Sequence, residues 1–148
     1  VGPVGPPPVQ QGGPELLIGG YSPAAVQRVG RWGDGFISGG AGPEQALHFY
    51  RLAEESWKAA GRTGKPRFVA CMYFGLGPDA AERAGAYIRT YYSFLGPAVE
   101  QRVKAIPSTT DALKQAIETF IDIGADELVL WPCIPDLDQV DLAAELIS

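Results

Sequence analysis

The chain has 148 residues, a net charge of −5 and 46% hydrophobic residues. That is enough for one domain or part of a larger one, and it is too apolar for bulk disorder. The acidic balance and singly scattered basic residues (Arg28, Arg31, Arg51, Arg62) argue against nucleic acid, which needs a clustered basic surface. No apolar run approaches the 18 residues of a membrane span, and no secretory signal is present.

The chain opens with VGPVGPPPVQQGGP, residues 1–14, an extended Pro/Gly-rich lead-in that reads as a connection inside a longer protein. Four strand–helix units follow. ELLIGG predicts a buried strand, and PAAVQRVGRWG predicts a helix with Pro23 in its first turn. DGFISGG predicts the second strand. PEQALHFYRLAEESWKAAG then predicts a long helix, opened by Pro43 and closed by Gly61, with Ala46, Leu47, Tyr50, Ala53 and Trp57 on one face.

RFVACMYFGLG predicts the third strand. A helix opened by Pro78 follows, and then a helical piece between Pro97 and Pro107. STTDALKQAIETFIDIGA predicts a further helix, with Ser108 or Thr109 as N-cap and Gly124 as its stop. DELVLWP predicts the fourth strand, and DLDQVDLAAELIS the last helix.

Continuous apolar strands mark a parallel sheet covered on both faces, and strand–helix alternation implies right-handed crossovers. The class is therefore α/β with parallel strands. Four strands cannot close a barrel, and they leave two open edges. Two architectures satisfy the count: a small doubly wound sheet, or half of a (β/α)₈ barrel.

In both, ligands bind at the carboxyl ends of the strands. This selects residues 19–22, 38–42, 74–77 and 131–135. The first of these, Gly19, Gly20, Tyr21 and Ser22, joins a flexible glycine pair to a helix N-terminus that suits an anion. An ordinary turn with a serine cap explains the same residues. The second, SGGAGPEQ, is also glycine-rich at a helix start, and either an anion site or a flexible loop accounts for it. GxGxxG and GxxxxGK[ST] are both absent.

No catalytic constellation stands out. His48, the single histidine, falls on a helix away from the strand ends, which argues against a Ser–His–Asp triad and a histidine metal site. Asp136, Asp138 and Asp141 fall at a helix start, where negative charge complements the dipole. Tyr87, Tyr91, Tyr92 and Phe94 read as packing or oligomer contacts. Cys71 and Cys133 lie in apolar runs and read as buried free thiols, consistent with a cytoplasmic protein.

The order of the pieces resembles the region after the barrel midpoint in the luciferase-like monooxygenases. The carrying features are the Pro-rich lead-in, a strand ending in Gly19-Gly20, a Ser-containing turn, and Gly33-Asp34-Gly35-Phe36. The closing STTDALKQAIETFIDIGADELVLWP resembles the family's terminal helix and last strand. The resemblance covers essentially all 148 residues. It implies a flavin- or deazaflavin-dependent TIM barrel that acts on a small-molecule substrate. It also implies that Gly19, Gly20, Tyr21 and Ser22 help to hold the phosphate of FMN or a deazaflavin. The family's first four strands have no counterpart here, so the expectation is a carboxyl-terminal half-barrel, residues 1–148. Such a half would be inactive alone; the alternatives are a non-catalytic half-barrel assembly (a homo-oligomer formed through its open sheet) or a flavin-binding module without catalysis. No catalytic residue is assigned.

Overall fold

A computed structural model describes residues 5–147. Four strands, β1 (Leu17–Gly19), β2 (Gly35–Gly39), β3 (Arg67–Phe74) and β4 (Glu127–Pro132), form one sheet in the order β1-β2-β3-β4, all parallel. The helices are α1 (Pro23–Trp32), α2 (Pro43–Ala59), α3 (Ala80–Tyr91), α4 (Val99–Lys104), α5 (Thr110–Asp122) and α6 (Asp138–Ile147). A 3₁₀ segment, Ser93–Ala98, links α3 to α4.

Strand order decides between the two architectures. A doubly wound sheet reverses direction at a switch point and carries helices on both faces. Here the order never reverses. One core holds Phe36, Phe68, Ala70, Met72 and Phe74 from the strands, packed with Val26 and Val29 of α1, Tyr50 and Trp57 of α2, Leu113 and Phe120 of α5, and Ala143 of α6. The strand members all have the same parity, so they share one face. Helices following all four strands cover that face, which is the arrangement of half a (β/α)₈ barrel.

Local chemistry explains the elements. Pro23 and Pro43 stand in the first turns of α1 and α2, where a missing N–H costs nothing. Thr109 caps α5 by accepting from the Ala112 N–H at 3.2 Å. Gly61 and Gly124, at φ 72° and 82°, take the left-handed turn past α2 and α5. Gly30 is buried in α1, and any side chain there would collide with the Ser56 backbone, so this glycine lets α1 and α2 touch. Tyr50 stacks on Phe68 at 4.3 Å and donates to the Pro66 carbonyl at 3.1 Å; burial and then the Glu54 carboxylate push its hydroxyl up to about 12.

Two elements depart from expectation. Pro78 does not open α3. The chain first turns through Asp79 in a left-handed conformation, φ 53°, and the helix begins at Ala80. The helical piece between Pro97 and Pro107 is only the six residues of α4, and the 3₁₀ segment before it is kinked at Gly96, at φ 56° and ψ −139°. Together α3, the 3₁₀ segment and α4 form an excursion before the crossover helix α5. Their small core of Ala84, Ile88 and Val99 rests on Cys133 beyond β4 and on Tyr73 of β3.

Candidate functional site

The sheet face away from the helices is read from the register. Gly19, Ile37, Val69 and Glu127 stand in one row; Gly39, Cys71 and Val129 in the next; Tyr73 and Trp131 in the last, at the carboxyl end. Below them Arg67 forms ion pairs with both Glu15 and Glu127. The face is therefore uneven. Its β1–β2 side carries exposed glycines at 19 and 39, where backbone is open to a neighbour, and a buried Gly35 covered by Arg67 and Leu17. Its β3–β4 side carries two large rings, Tyr73 and Trp131, with centroids 5.2 Å apart.

The end of β1 and the loop after it contain all four predicted site residues: Gly19 closes the strand, and Gly20, Tyr21 and Ser22 form the turn. Gly19, Tyr21 and Ser22 are exposed and Gly20 is half-buried. Ser22 is the N-cap of α1, and its hydroxyl accepts from the Ala25 N–H at 3.3 Å. Gly20 has φ 130°, and a β-carbon added there would lie 2.7 Å from that of Ala25. The glycine is thus required by the chain's own turn into α1. Tyr21 does not point away from the protein: its ring meets Phe49 of α2 edge-on at 5.3 Å.

Tested as a phosphate cradle, this loop fits in part. Pro23 offers no N–H, and the Ala25 N–H is occupied by Ser22. The Ser22 hydroxyl still has its proton to donate, and the Ala24 amide, in the first turn, has no intrahelical acceptor. The positive end of α1 lies behind both. Two donors and a dipole suffice to bind one edge of a phosphate, without enclosing it.

The loop after β2 is adjacent. Gly40 has φ 73°, and a β-carbon there would press on the Tyr73 ring at 3.2 Å. Ser38 is fully buried, and its hydroxyl has no hydrogen-bond partner in the structure. Gly42 caps α2 with no side-chain bond.

The other two loops are fastened. Gln139 of α6, 3% exposed, accepts from the Leu76 N–H at 2.8 Å and donates to the Leu76 carbonyl at 2.9 Å. Gly75 donates to the Pro107 carbonyl, and Cys133 donates to that of Phe74. Both cysteines are buried and free, and desolvation raises both thiols, Cys133 to about 11.

The remaining predicted residues are accounted for locally. His48 is exposed and lies edge-on to Phe49. Asp136 pairs with Arg83 at 2.8 Å. Among the described residues no group of three or more His, Cys, Asp or Glu side chains is placed to hold a metal ion. Tyr87 and Tyr91 stack at 6.1 Å on an exposed face of α3. Tyr92 instead turns inward, its hydroxyl 3.1 Å from that of Tyr73. Burial, then this contact, raises the Tyr73 hydroxyl. Residues 1–4 of the lead-in lie outside the described residues. No described helix is long and apolar enough to cross a membrane.

Gly39, Gly40 and Trp131 fell within the strand-end segments selected from the sequence, but Tyr73, and the side of the sheet on which these residues lie, were missed. Parity along each strand was readable, but a continuous apolar run gives no sign of which parity faces the helices.

A family model described as luciferase-like monooxygenase matches residues 2–125. Comparison with curated proteins finds no match. Among solved structures, an F420-dependent secondary alcohol dehydrogenase in complex with an F420–acetone adduct is similar over 89% of this chain and 47% of its own, at TM-score 0.69 and 18% identity. A coenzyme F420-dependent tetrahydromethanopterin reductase from Methanopyrus kandleri is similar over 88% and 48%, at TM-score 0.63 and 17% identity. A riboflavin lyase holding modified FMN and riboflavin is similar over 93% and 42%, at TM-score 0.67 and 18% identity. The chain spans about half the length of these structures, and at such identities the likeness is one of fold.

Proposed function

The chain belongs to the luciferase-like monooxygenase family, and from that premise we propose that it is the carboxyl-terminal half of a flavin- or deazaflavin-dependent oxidoreductase barrel. In this reading Gly19, Gly20, Tyr21 and Ser22 hold the cofactor's phosphate. The observation that carries it is the geometry of that loop: an exposed glycine turn ending on a serine hydroxyl at the start of α1. Ser22 donates its proton to the phosphate while still accepting from Ala25. Ala24 donates its amide. Gly19 and Gly39, without side chains, let the cofactor lie against the β1–β2 backbone. When bound, the flavin or deazaflavin supplies the redox chemistry, and the protein supplies position and electrostatics.

A second part of the proposal concerns assembly. Among the described residues β1 pairs only with β2, and β4 only with β3, so both edges of the sheet are open. Such edges demand partners. Four further strands, from another segment or from a second copy of the chain, would close the barrel and complete a pocket for a small-molecule substrate. The 148-residue chain alone then oxidises reduced flavin no faster than the free-flavin background.

The test is a fluorescence titration with FMN and with riboflavin, which differ only in the phosphate. The expected result is at least about tenfold tighter binding of FMN, near 1.4 kcal/mol, with that preference reduced in Ser22→Ala. Equal affinity for both flavins in the unaltered chain overturns the phosphate role of the loop.

A further inference from the structure

A second recess lies away from residues 19–22, none of which line it. It is a cleft of about 750 Å³ beneath α4, between the start of α2 and one side of α5. That volume is within the range of small-molecule sites, roughly 300–1,000 Å³. Met72 and Phe120 contribute apolar wall, Tyr92 a ring, and Gln101 and Gln115 neutral amides. In a chain with 17 acidic residues, no Asp or Glu lines it, and Arg102 is its only cation.

Arg102 is unlike its peers. Three arginines are half-buried: Arg62, Arg67 and Arg102. Arg62 has Asp34 at 3.8 Å, and Arg67 has Glu15 and Glu127. Arg102 has no carboxylate within ion-pair distance among the described residues. Its guanidinium lies 4.7 Å over the Tyr92 ring and donates one N–H to the Gly40 carbonyl at a long 3.4 Å. A guanidinium has five N–H donors in a rigid fork that matches a carboxylate. Partial desolvation without a counter-ion is costly, and a ligand anion removes that cost.

We propose that this cleft binds a small monocarboxylate with an aromatic or branched apolar body, its carboxylate on Arg102 and its body against Tyr92, Met72 and Phe120. One cation and no second basic residue in the lining match a single negative charge. The glutamine amides set orientation without adding charge. The cleft shares no residue with the loop after β1, although Gly40, Cys71 and Tyr73 of its lining also bound the open sheet face; Arg102 and Ser22 substitutions therefore separate this site from the flavin reading.

The test uses the full 148-residue chain with benzoate, its neutral isostere benzamide, and inorganic phosphate, followed by amide chemical shifts in NMR. Saturable benzoate binding at least about tenfold tighter than benzamide is expected, with Arg102 and Gln115 among the signals that move. Arg102→Gln should erase that preference at an unchanged melting temperature, and Arg102→Lys should retain only part of it. If Arg102→Gln fails to fold, the benzoate–benzamide comparison on the unaltered chain decides alone. Equal binding of the two, tighter binding of phosphate, or shifts confined to residues 19–22 would each overturn the assignment.

Discussion

The carboxyl edge of this sheet is divided between two kinds of loop. After β1 the chain turns on glycines at the surface and leaves a serine hydroxyl and a helix-start amide toward solvent; after β2 it again turns on glycines, with only Ala41 buried. After β3 and β4 the first residues, Gly75 and Leu76, Cys133 and Ile134, are buried and tied by Gln139, Pro107 and Phe74, before the chain returns to the surface at 77–79 and 135–137. The sheet face below repeats the division, glycine on one side and Tyr73 with Trp131 on the other. One fold thus ties down one half of its strand ends and leaves the other half on glycine turns, where the proposed cofactor phosphate would sit. Sites held to sub-ångström geometry need this kind of support.

Substitutions can break the comparison, and the largest effect belongs to the fastened half. Gln139→Leu leaves both polar groups of the Leu76 backbone buried and unpaired, at about 1–3 kcal/mol each. Urea denaturation should show a loss of roughly 2–6 kcal/mol for the pair. A loss below about 0.5 kcal/mol, the scale of a neutral surface change, would mean that this half is not locked.

Gly20→Val comes next. Its side chain needs φ 130° and meets Ala25, so the expected cost is about 1–3 kcal/mol, with weakened FMN binding. Unchanged stability would show that the turn is more pliable than its geometry implies. Ser22→Ala should cost about 1 kcal/mol through the lost cap, and Ser22→Gly only a few tenths. Calorimetry distinguishes these losses from any effect on FMN.

The smallest effect lies at the opposite edge of the sheet and serves as a control. Burial opposes the charge on Asp126, yet the Phe68 N–H and the Lys65 ammonium outweigh it, so its carboxyl titrates below the ordinary 3.8. Because folding lowers this value, the stability it adds is complete above 3.8 and disappears as pH falls through the folded value. Asp126→Asn should flatten that acid slope without altering FMN binding. An unchanged slope would remove Asp126 from the account.

Much of this was legible in the sequence, for physical reasons. Pro23 and Pro43 announce helix starts, Gly61 and Gly124 announce stops, and apolar runs announce parallel strands. The position of residues 19–22 follows from these alone. What stayed hidden depends on contacts between distant residues. Gln139 reaches Leu76 across 63 positions, and Arg102 reaches Gly40 across 62. Neither leaves a local pattern. Pro78 misled because Asp79 takes a left-handed turn, which a proline-first rule does not anticipate. Strand parity misled no one but informed little: β3 is apolar on both faces, so only its partners show that Tyr73 and Cys71 face away from the helices.

The most direct measurement is a map of amide chemical shifts on addition of FMN to the 148-residue chain. The account predicts saturable shifts centred on Gly19, Gly20, Tyr21, Ser22 and Ala24, extending to Gly39, with Leu76, Cys133 and Ile134 unmoved. Shifts centred on Leu76, Cys133 and Ile134 instead, or no saturable shift at residues 19–24, would contradict it.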